Sequence, residues 1–548
     1  MRERGKGMTN KGGVSFIKGA AILGAGALIS KFLGALYRIP YQNITGDLGY
    51  YVYTQVYPLY SALLILATAG FPIAISKIVA EKLAVGDEYG ARRVFRVSSF
   101  VLSITGVVFF LLLWFGAPWI AGIMSDDKLA MPIRAVSYAL LIVPIMASIR
   151  GFFQGYHNMV PTAVSQIGEQ FVRVITILIL SYWFMKSTGD VYLAGSGAVF
   201  GAVTGAIFGF ILLLFYIGQS RRQNRLDPLP LRGKKESVGH IVRKLLFYAI
   251  PICLGSLILP LMQLIDSFTV VNILVQGGTS EEDSYILKGV LDRGQPLVQL
   301  AAVFATALSL SLVPAIAEAN ARKKNDLISS RTELAIRLTF LIGLPASIGL
   351  AVVAEPVNIM LYKTNSGTGT LMVLAFSTVF TTLGVTTAGI LQGLGKVMLP
   401  VRNLFIGLMV KLVLNFIFIP MYGIAGGALA TVISHFVSTF LNMMAVSKLT
   451  GVRLYFKSFI LKPAISVVVM ALAAFVVKQF LDNGLDGIVS SERLQYTIVG
   501  LGAVLAGIIM YGIALFLSGT VTRKDMESTP KGKRWVPLLQ KFHLLRDS

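Results

Sequence analysis

Apolar runs long enough to cross a bilayer recur along this chain and leave it few alternatives. A hydrocarbon core of ~30 Å takes about 20 helical residues, and about fourteen such runs can be marked. They lie near 15–37, 50–78, 97–122, 133–153, 159–185, 192–218, 245–274, 289–317, 332–353, 370–392, 398–420, 424–447, 458–480 and 494–518. Lipid offers no hydrogen bonds to the backbone, so only helices or closed barrels can span it. Barrel strands need only about 9–11 residues, well short of these runs. The expected fold is therefore all-α: a polytopic membrane protein of two six-helix bundles and two further helices. Composition agrees. The chain is 55% hydrophobic and 14% charged, against about 25% charged in an average soluble domain.

The formal charge of +23 does not point to nucleic acid. Most Lys and Arg sit in short loops between spans, where the positive-inside rule puts them. With the N-terminus inside, the segments "EKLAVGDEYGARR", "QSRRQNRLDPLPLRGKKES", "NARKKND", "SKLTGVRLYFK" and "TRKDMESTPKGKRW" all fall on the cytoplasmic side. An even helix count returns the C-terminus there. The basic start "MRERGKGMTNKGG" precedes a span that is too long for a signal peptide and lacks an A-x-A site. That span is expected to be an uncleaved first helix.

The chain repeats internally. Pro58-Leu59 recurs as Pro296-Leu297, Ala67-Thr68-Ala69 as Ala305-Thr306-Ala307, and Gly151, Gln154 and Gly155 as Gly389, Gln392 and Gly393, all at one offset. The expected organisation is a six-helix lobe (1–218), a basic cytoplasmic linker (219–244), a second six-helix lobe (245–447), two additional helices (448–519) and a basic cytoplasmic tail (520–548). Six helices per lobe make the repeat parallel. Transporters so built bind substrate where the repeats meet.

A charge at a helix centre costs ~2.5–3.5 kcal/mol on insertion scales, so each one needs a reason. The candidates are Lys18, Lys31 and Arg38 on the first helix, Lys77 on the second, Glu169 and Arg173 on the fifth, Asp266 on the seventh, Asp292-Arg293 opening the eighth, and Lys411 on the eleventh. Cations dominate, which suits an anion such as a diphosphate that Arg can grip through two N–H groups. Arg173 and Lys411 occupy equivalent positions of the repeat, so each half supplies one cation. Plainer readings stand beside these. Lys18 and Lys77 can snorkel to headgroups, Arg38 can sit at the outer interface, and Glu169 with Arg173 can form an intrahelical i,i+4 pair. Asp292-Arg293 can cap the eighth helix. The stripe "YYVYTQVYPLY" reads as an interfacial aromatic belt, with sugar stacking as the alternative. Asp266, Glu169 and Asp292 are candidates for charge balance or ion coupling. "GLGKVM" lacks the P-loop spacing, Cys253 stands alone and the four His are scattered. No catalytic centre, metal site or cofactor is expected.

The stretches "KGAAILGAGALISKFLGALYRIPYQNITGDLGYYVYTQVYPLY" and "GILQGLGKVMLPVRNLFIGLMVKLVLNFIFIP", on a 6+6+2 plan with a cationic first helix, resemble the multidrug/oligosaccharidyl-lipid/polysaccharide exporter superfamily. Within it they resemble the SpoVB/YtgP branch of Gram-positive bacteria. The resemblance implies a flippase in the bacterial cytoplasmic membrane that moves undecaprenyl-diphosphate-linked glycans, foremost lipid II, outward by alternating access. It implies a basic cavity for the diphosphate, a groove near the last two helices for the lipid tail, and membrane lipids and wall-synthesis enzymes as partners. Lys31 matches the first cation of the R-x-L-G-x-x-R-D pattern of MurJ-type members. Tyr37 stands where the second Arg falls, and Arg38 where the Asp falls. Some MurJ-type proteins are thought to hold sodium between helices 7, 11 and 12. Asp266, Asn403 and Thr431 could supply oxygens for such a site here, although Lys411 on the eleventh helix argues against an identical one. The diphosphate contacts expected are Lys31, Arg38, Arg173, Arg293 and Lys411. The same scaffold could carry an exopolysaccharide, teichoic-type or spore-cortex precursor. Other readings are a MATE-type drug/cation antiporter and a non-transporting scaffold for wall synthesis.

Overall fold

The computed structural model describes residues 23–26, 29–30, 32–222, 236–452 and 461–520. Lys18 and Lys31 lie outside them, as do residues 223–235 of the basic linker and 521–548 of the tail. Among the described residues the ordered elements are all helical: α1 (Arg38–Thr68), α2 (Phe71–Ala84), α3 (Glu88–Ile123), α4 (Ala130–Ser137), α5 (Ala139–Gly155), α6 (Val160–Ser187), α7 (Val191–Arg222), α8 (Val238–Gln276), α9 (Glu281–Asp292), α10 (Gln295–Ala321), α11 (Asn325–Val352), α12 (Ala354–Tyr362), α13 (Thr368–Ala375), α14 (Ser377–Gly393), α15 (Met398–Tyr422), α16 (Ile424–Thr450), α17 (Lys462–Leu485) and α18 (Glu492–Leu517), with a short 3₁₀ turn at Asp127–Leu129.

Twelve helices among the described residues are long and apolar enough to cross a membrane. Their outer faces carry Phe115, Trp119, Phe247 and Phe480, each more than 70% exposed. Such faces need lipid rather than water. The expected 245–274 run appears as Val238–Leu257 and a shorter apolar stretch, Pro260–Gln276. Helix α10 occupies the expected 289–317 run. Two expected boundaries move. The first helix was expected to end at 37, yet helix continues through Arg38 until Gly46, whose φ of +70° makes the turn that other residues resist. The 50–78 run breaks at Ala69-Gly70, between α1 and α2. A Cβ on Gly70 would lie 2.2 Å from the Ala249 carbonyl oxygen, so only glycine allows that approach.

The repeat is visible in the helix boundaries. Helices α4, α5 and α6 start at Ala130, Ala139 and Val160; α13, α14 and α15 start at Thr368, Ser377 and Met398. This is the offset that relates Gly151 to Gly389. Its glycines do matching work: a Cβ on Gly151 would meet Ile75 and Pro72 at 2.9 Å, and one on Gly389 would meet Ser309 and Val313. Small residues here let helices pack at close range, as is common in membranes.

By contacts the chain forms two compact units, Met1–Gly289 and Val290–Ser548. In the first, α8 is fastened along its length. Lys244 donates to Glu81 at 2.7 Å, and Lys82 pairs with Glu236 at 2.8 Å just before α8. The Lys77 ammonium lies 3.9 Å over the Tyr248 ring. Gly70 N–H donates to Cys253 Sγ at 3.3 Å, and Gln55 Nε2 donates to the Ser267 carbonyl at 2.8 Å. At the far end Asn272 Nδ2 and the Tyr285 hydroxyl donate to the carbonyls of Ile123 and Ser125. The hydrogen bond from Lys82 holds Glu236 below the usual carboxylate range. That stabilisation is therefore present at neutral pH and lost as pH falls through the lowered pKa. Both side chains are about a quarter exposed, so Glu236→Gln should cost no more than about 1 kcal/mol. A melting temperature within a few degrees of wild type in nanodiscs is the check. The second unit has its own core of Ile316, Ile336, Val379, Ile390, Leu391 and Val446.

Candidate functional site

In the first unit the cations gather around tyrosines. The "YYVYTQVYPLY" residues do not form a lipid-facing belt: Tyr50, Tyr51, Tyr53 and Tyr60 are at most 1% exposed. They point inward because α1 packs against α8 and α7, and buried rings with hydroxyl tips need polar neighbours. The Tyr37 and Tyr53 hydroxyls bond to each other, and Tyr41 OH donates to the Gly49 carbonyl at 2.7 Å. Tyr53 stacks on Tyr57 at 5.5 Å.

Arg173, on α6, enters this cluster. It is 8% exposed, and its guanidinium carbon lies 5.1 Å from the centre of the Tyr57 ring. Among the described residues it has no hydrogen bond and no carboxylate partner. Arg38 shares Tyr37, Tyr53 and Tyr57 with it as electrostatic neighbours. The Arg38 Nε is buried with no acceptor among the described residues. Ring faces attract a guanidinium but use none of its N–H donors. Among the described residues, both arginines therefore keep hydrogen-bond donors that no acceptor uses.

The i,i+4 pairing of Glu169 with Arg173 does not form. Glu169 Oε2 accepts instead from Arg150 Nη2 on α5, at 2.8 Å. Arg150 Nε donates to Ser165 Oγ at 3.0 Å, and Ser165 donates onward to the Thr162 carbonyl. Arg150 escaped the sequence reading although it lies inside an apolar run, where any charge is a signal. Lys288 on α9, 1% exposed, was missed too. Helix α7 sets the position of α6. Gly201, Gly205 and Gly209 lie against it, and a Cβ on Gly205 would sit 2.6 Å from the Glu169 carbonyl oxygen. Asp266 is buried on α8, 4% exposed.

In the second unit Lys411 is 2% exposed. It belongs to the buried stripe Asn403, Gly407, Lys411 and Asn415 of α15. That stripe meets α16, where Asn403 Nδ2 donates to Asn442 Oδ1 at 2.9 Å and Ser434 Oγ donates to the Gly407 carbonyl. Thr431 turns to its own helix, donating to the Gly427 carbonyl at 2.9 Å. Arg293 is engaged in holding a loop. Its Nη2 donates to the Ser366 carbonyl, its own carbonyl accepts from Tyr362 OH at 2.8 Å, and its guanidinium stacks on the Tyr362 ring. Asp292, 9% exposed, ends α9. Neither residue caps the next helix, whose N-cap is Gly294 without a side-chain bond. An apolar groove of about 630 Å³ between α17 and α18 is lined by Leu472, Val476, Ile509 and Met510 among others.

The fold and these side chains define a polytopic helical membrane protein with buried cations, and the comparisons give its family. Residues 16–320 match the family described as Polysaccharide biosynthesis protein, and residues 251–417 match MatE. The chain belongs to this polysaccharide biosynthesis family of the multidrug/oligosaccharidyl-lipid/polysaccharide exporter superfamily, with MurJ- and SpoVB-like members. It is 36% identical to the uncharacterized membrane protein YabM of Bacillus subtilis over 97% of each chain. It is 30% identical to the lipid II flippase MurJ of the same organism, over 84% of this chain and 88% of that one. Stage V sporulation protein B is 27% identical over 94% of this chain and 98% of that one. The fold is that of the solved lipid II flippase MurJ in its inward closed conformation (TM-score 0.64, 15% identity, 90% of this chain and 99% of that one). An inward-facing MATE transporter is similar as well (TM-score 0.62, 15% identity, 77% and 96%).

Proposed function

We propose that this chain is a flippase for an undecaprenyl-diphosphate-linked cell-wall precursor, lipid II foremost, which it carries from the inner to the outer leaflet by alternating access. It acts in the bacterial cytoplasmic membrane with both termini inside, and no chemistry on the cargo is involved. The observation that carries this reading is Arg173: a buried guanidinium in a membrane-spanning helix, backed by the Tyr57 ring and, among the described residues, without a carboxylate partner. Left uncompensated, such a charge is costly, and an anionic ligand is the natural compensation. Arg38 adds a second donor group, and Lys411 and Lys31 are proposed as further contacts. Arg293 is the weakest of the set, since its donors already serve the α12–α13 loop.

The match to MatE raises the drug/cation antiporter as a second reading. Its cargo needs an acidic site, and Glu169, the acid one turn from Arg173 on the same helix, is already neutralised by Arg150. Binding separates the two. Purified protein in nanodiscs should bind undecaprenyl diphosphate more tightly than undecaprenyl monophosphate, and both more tightly than undecaprenol. Equal affinity for the diphosphate and the neutral alcohol would defeat the anion-site reading.

A further inference from the structure

Arg150 is not among the proposed anion contacts, yet it is a charged residue in an apolar helix, 8% exposed. Its two interactions run to one neighbour. It holds Glu169 at 2.8 Å and Ser165, one turn earlier on α6, at 3.0 Å. Glu169 stands one turn before Arg173 on the same helix, the spacing at which a carboxylate and a guanidinium normally pair. Without Arg150, the nearest cation for Glu169 along its own helix is Arg173. The repeat supplies an internal comparison. Where the first half has Arg150, Glu169 and Arg173, the second has Ala388, Gly407 and Lys411. The cation is kept, and the acid and its partner are absent together. Arg150 and Glu169 therefore behave as one unit, separate from the cation they flank.

We infer that Arg150 is a positioning residue for anion binding: it sequesters the Glu169 carboxylate and so leaves the Arg173 guanidinium available to the diphosphate. This rests on the assignment of Arg173 as an anion contact. Glu169 in turn holds Arg150, which links α5 to α6.

The test uses the full chain in nanodiscs, titrated with undecaprenyl diphosphate, reading affinity and stoichiometry separately and melting temperature alongside. Arg150→Gln should weaken binding about tenfold, within the range of coupling between close charges, with stoichiometry unchanged. Arg150→Lys, which can still neutralise Glu169, should recover most of the loss. The double variant Arg150→Gln/Glu169→Gln should bind within about twofold of wild type by the same logic, because nothing is left to capture Arg173. If the double variant binds as weakly as Arg150→Gln while melting like wild type, Arg150 does not act through Glu169 and the inference is overturned. Arg173→Gln keeps the two ideas apart. If it binds like wild type, the anion-site reading has failed, whatever the Arg150 variants do.

Discussion

Arg173→Gln is expected to cut flipping about 30-fold or more, since removing one member of a desolvated charge pair costs about 2–5 kcal/mol. The loss should appear in the rate at which the precursor becomes accessible outside the cell, at matched protein abundance. Glutamine keeps the length and some hydrogen-bonding capacity of the side chain but carries no charge. Arg173→Lys should fall between, because an ammonium keeps the charge and loses the planar, two-pronged donor geometry. The tyrosines explain why the effect should be specific to the charge. The Tyr57 ring faces the guanidinium at 5.1 Å, so glutamine loses that attraction together with the charge, while the ring cluster keeps its own contacts, Tyr53 on Tyr57 and Tyr37 with Tyr53. Transport unchanged in Arg173→Gln would remove the residue from the account.

The second large effect is structural. Gly205→Leu should sharply reduce the folded protein recovered from the membrane. A Cβ there meets the Glu169 carbonyl oxygen at 2.6 Å and the Arg173 Cβ at 3.0 Å. The nearer contact is backbone and cannot rotate away. Overpacking of this kind costs about 1–3 kcal/mol, and here it would also shift the segment of α6 that carries Glu169 and Arg173. Gly218→Leu on the same helix is the control, since nothing lies within 4 Å of its Cβ direction. Detergent-resistant melting temperature and monodispersity read both variants. Equal behaviour of the two would show that α6 is not seated on α7 in this way.

The apolar runs were enough to find most helices, because in lipid hydrophobicity and length nearly determine the element. The repeat was legible too, and α4–α6 and α13–α15 share its offset at their first residues. Side-chain partners across helices were less so. Spacing along α6 suggests Glu169 with Arg173, but α5 brings Arg150 closer, and no one-dimensional pattern records that neighbour. The tyrosine stripe was misjudged for a related reason. Helical spacing shows that the rings share a face and does not say whether that face meets lipid or protein. Gly46 looked like part of a loop and is instead a kink between two helical stretches, which extends the first helix past Arg38. Arg293 read as a charge opening a helix, whereas its donors go to a loop some seventy residues on, at Ser366.

The claim that this chain moves a diphosphate-linked wall precursor is tested most directly in bacteria depleted of their own lipid II flippases and expressing it. The measurement is the labelling of lipid II by an impermeant probe added outside the cells. The account predicts that labelling and growth are both restored, and that Arg173→Gln restores neither. Absence of labelling, with the wild-type protein present in the membrane at normal abundance, would contradict lipid II as the cargo.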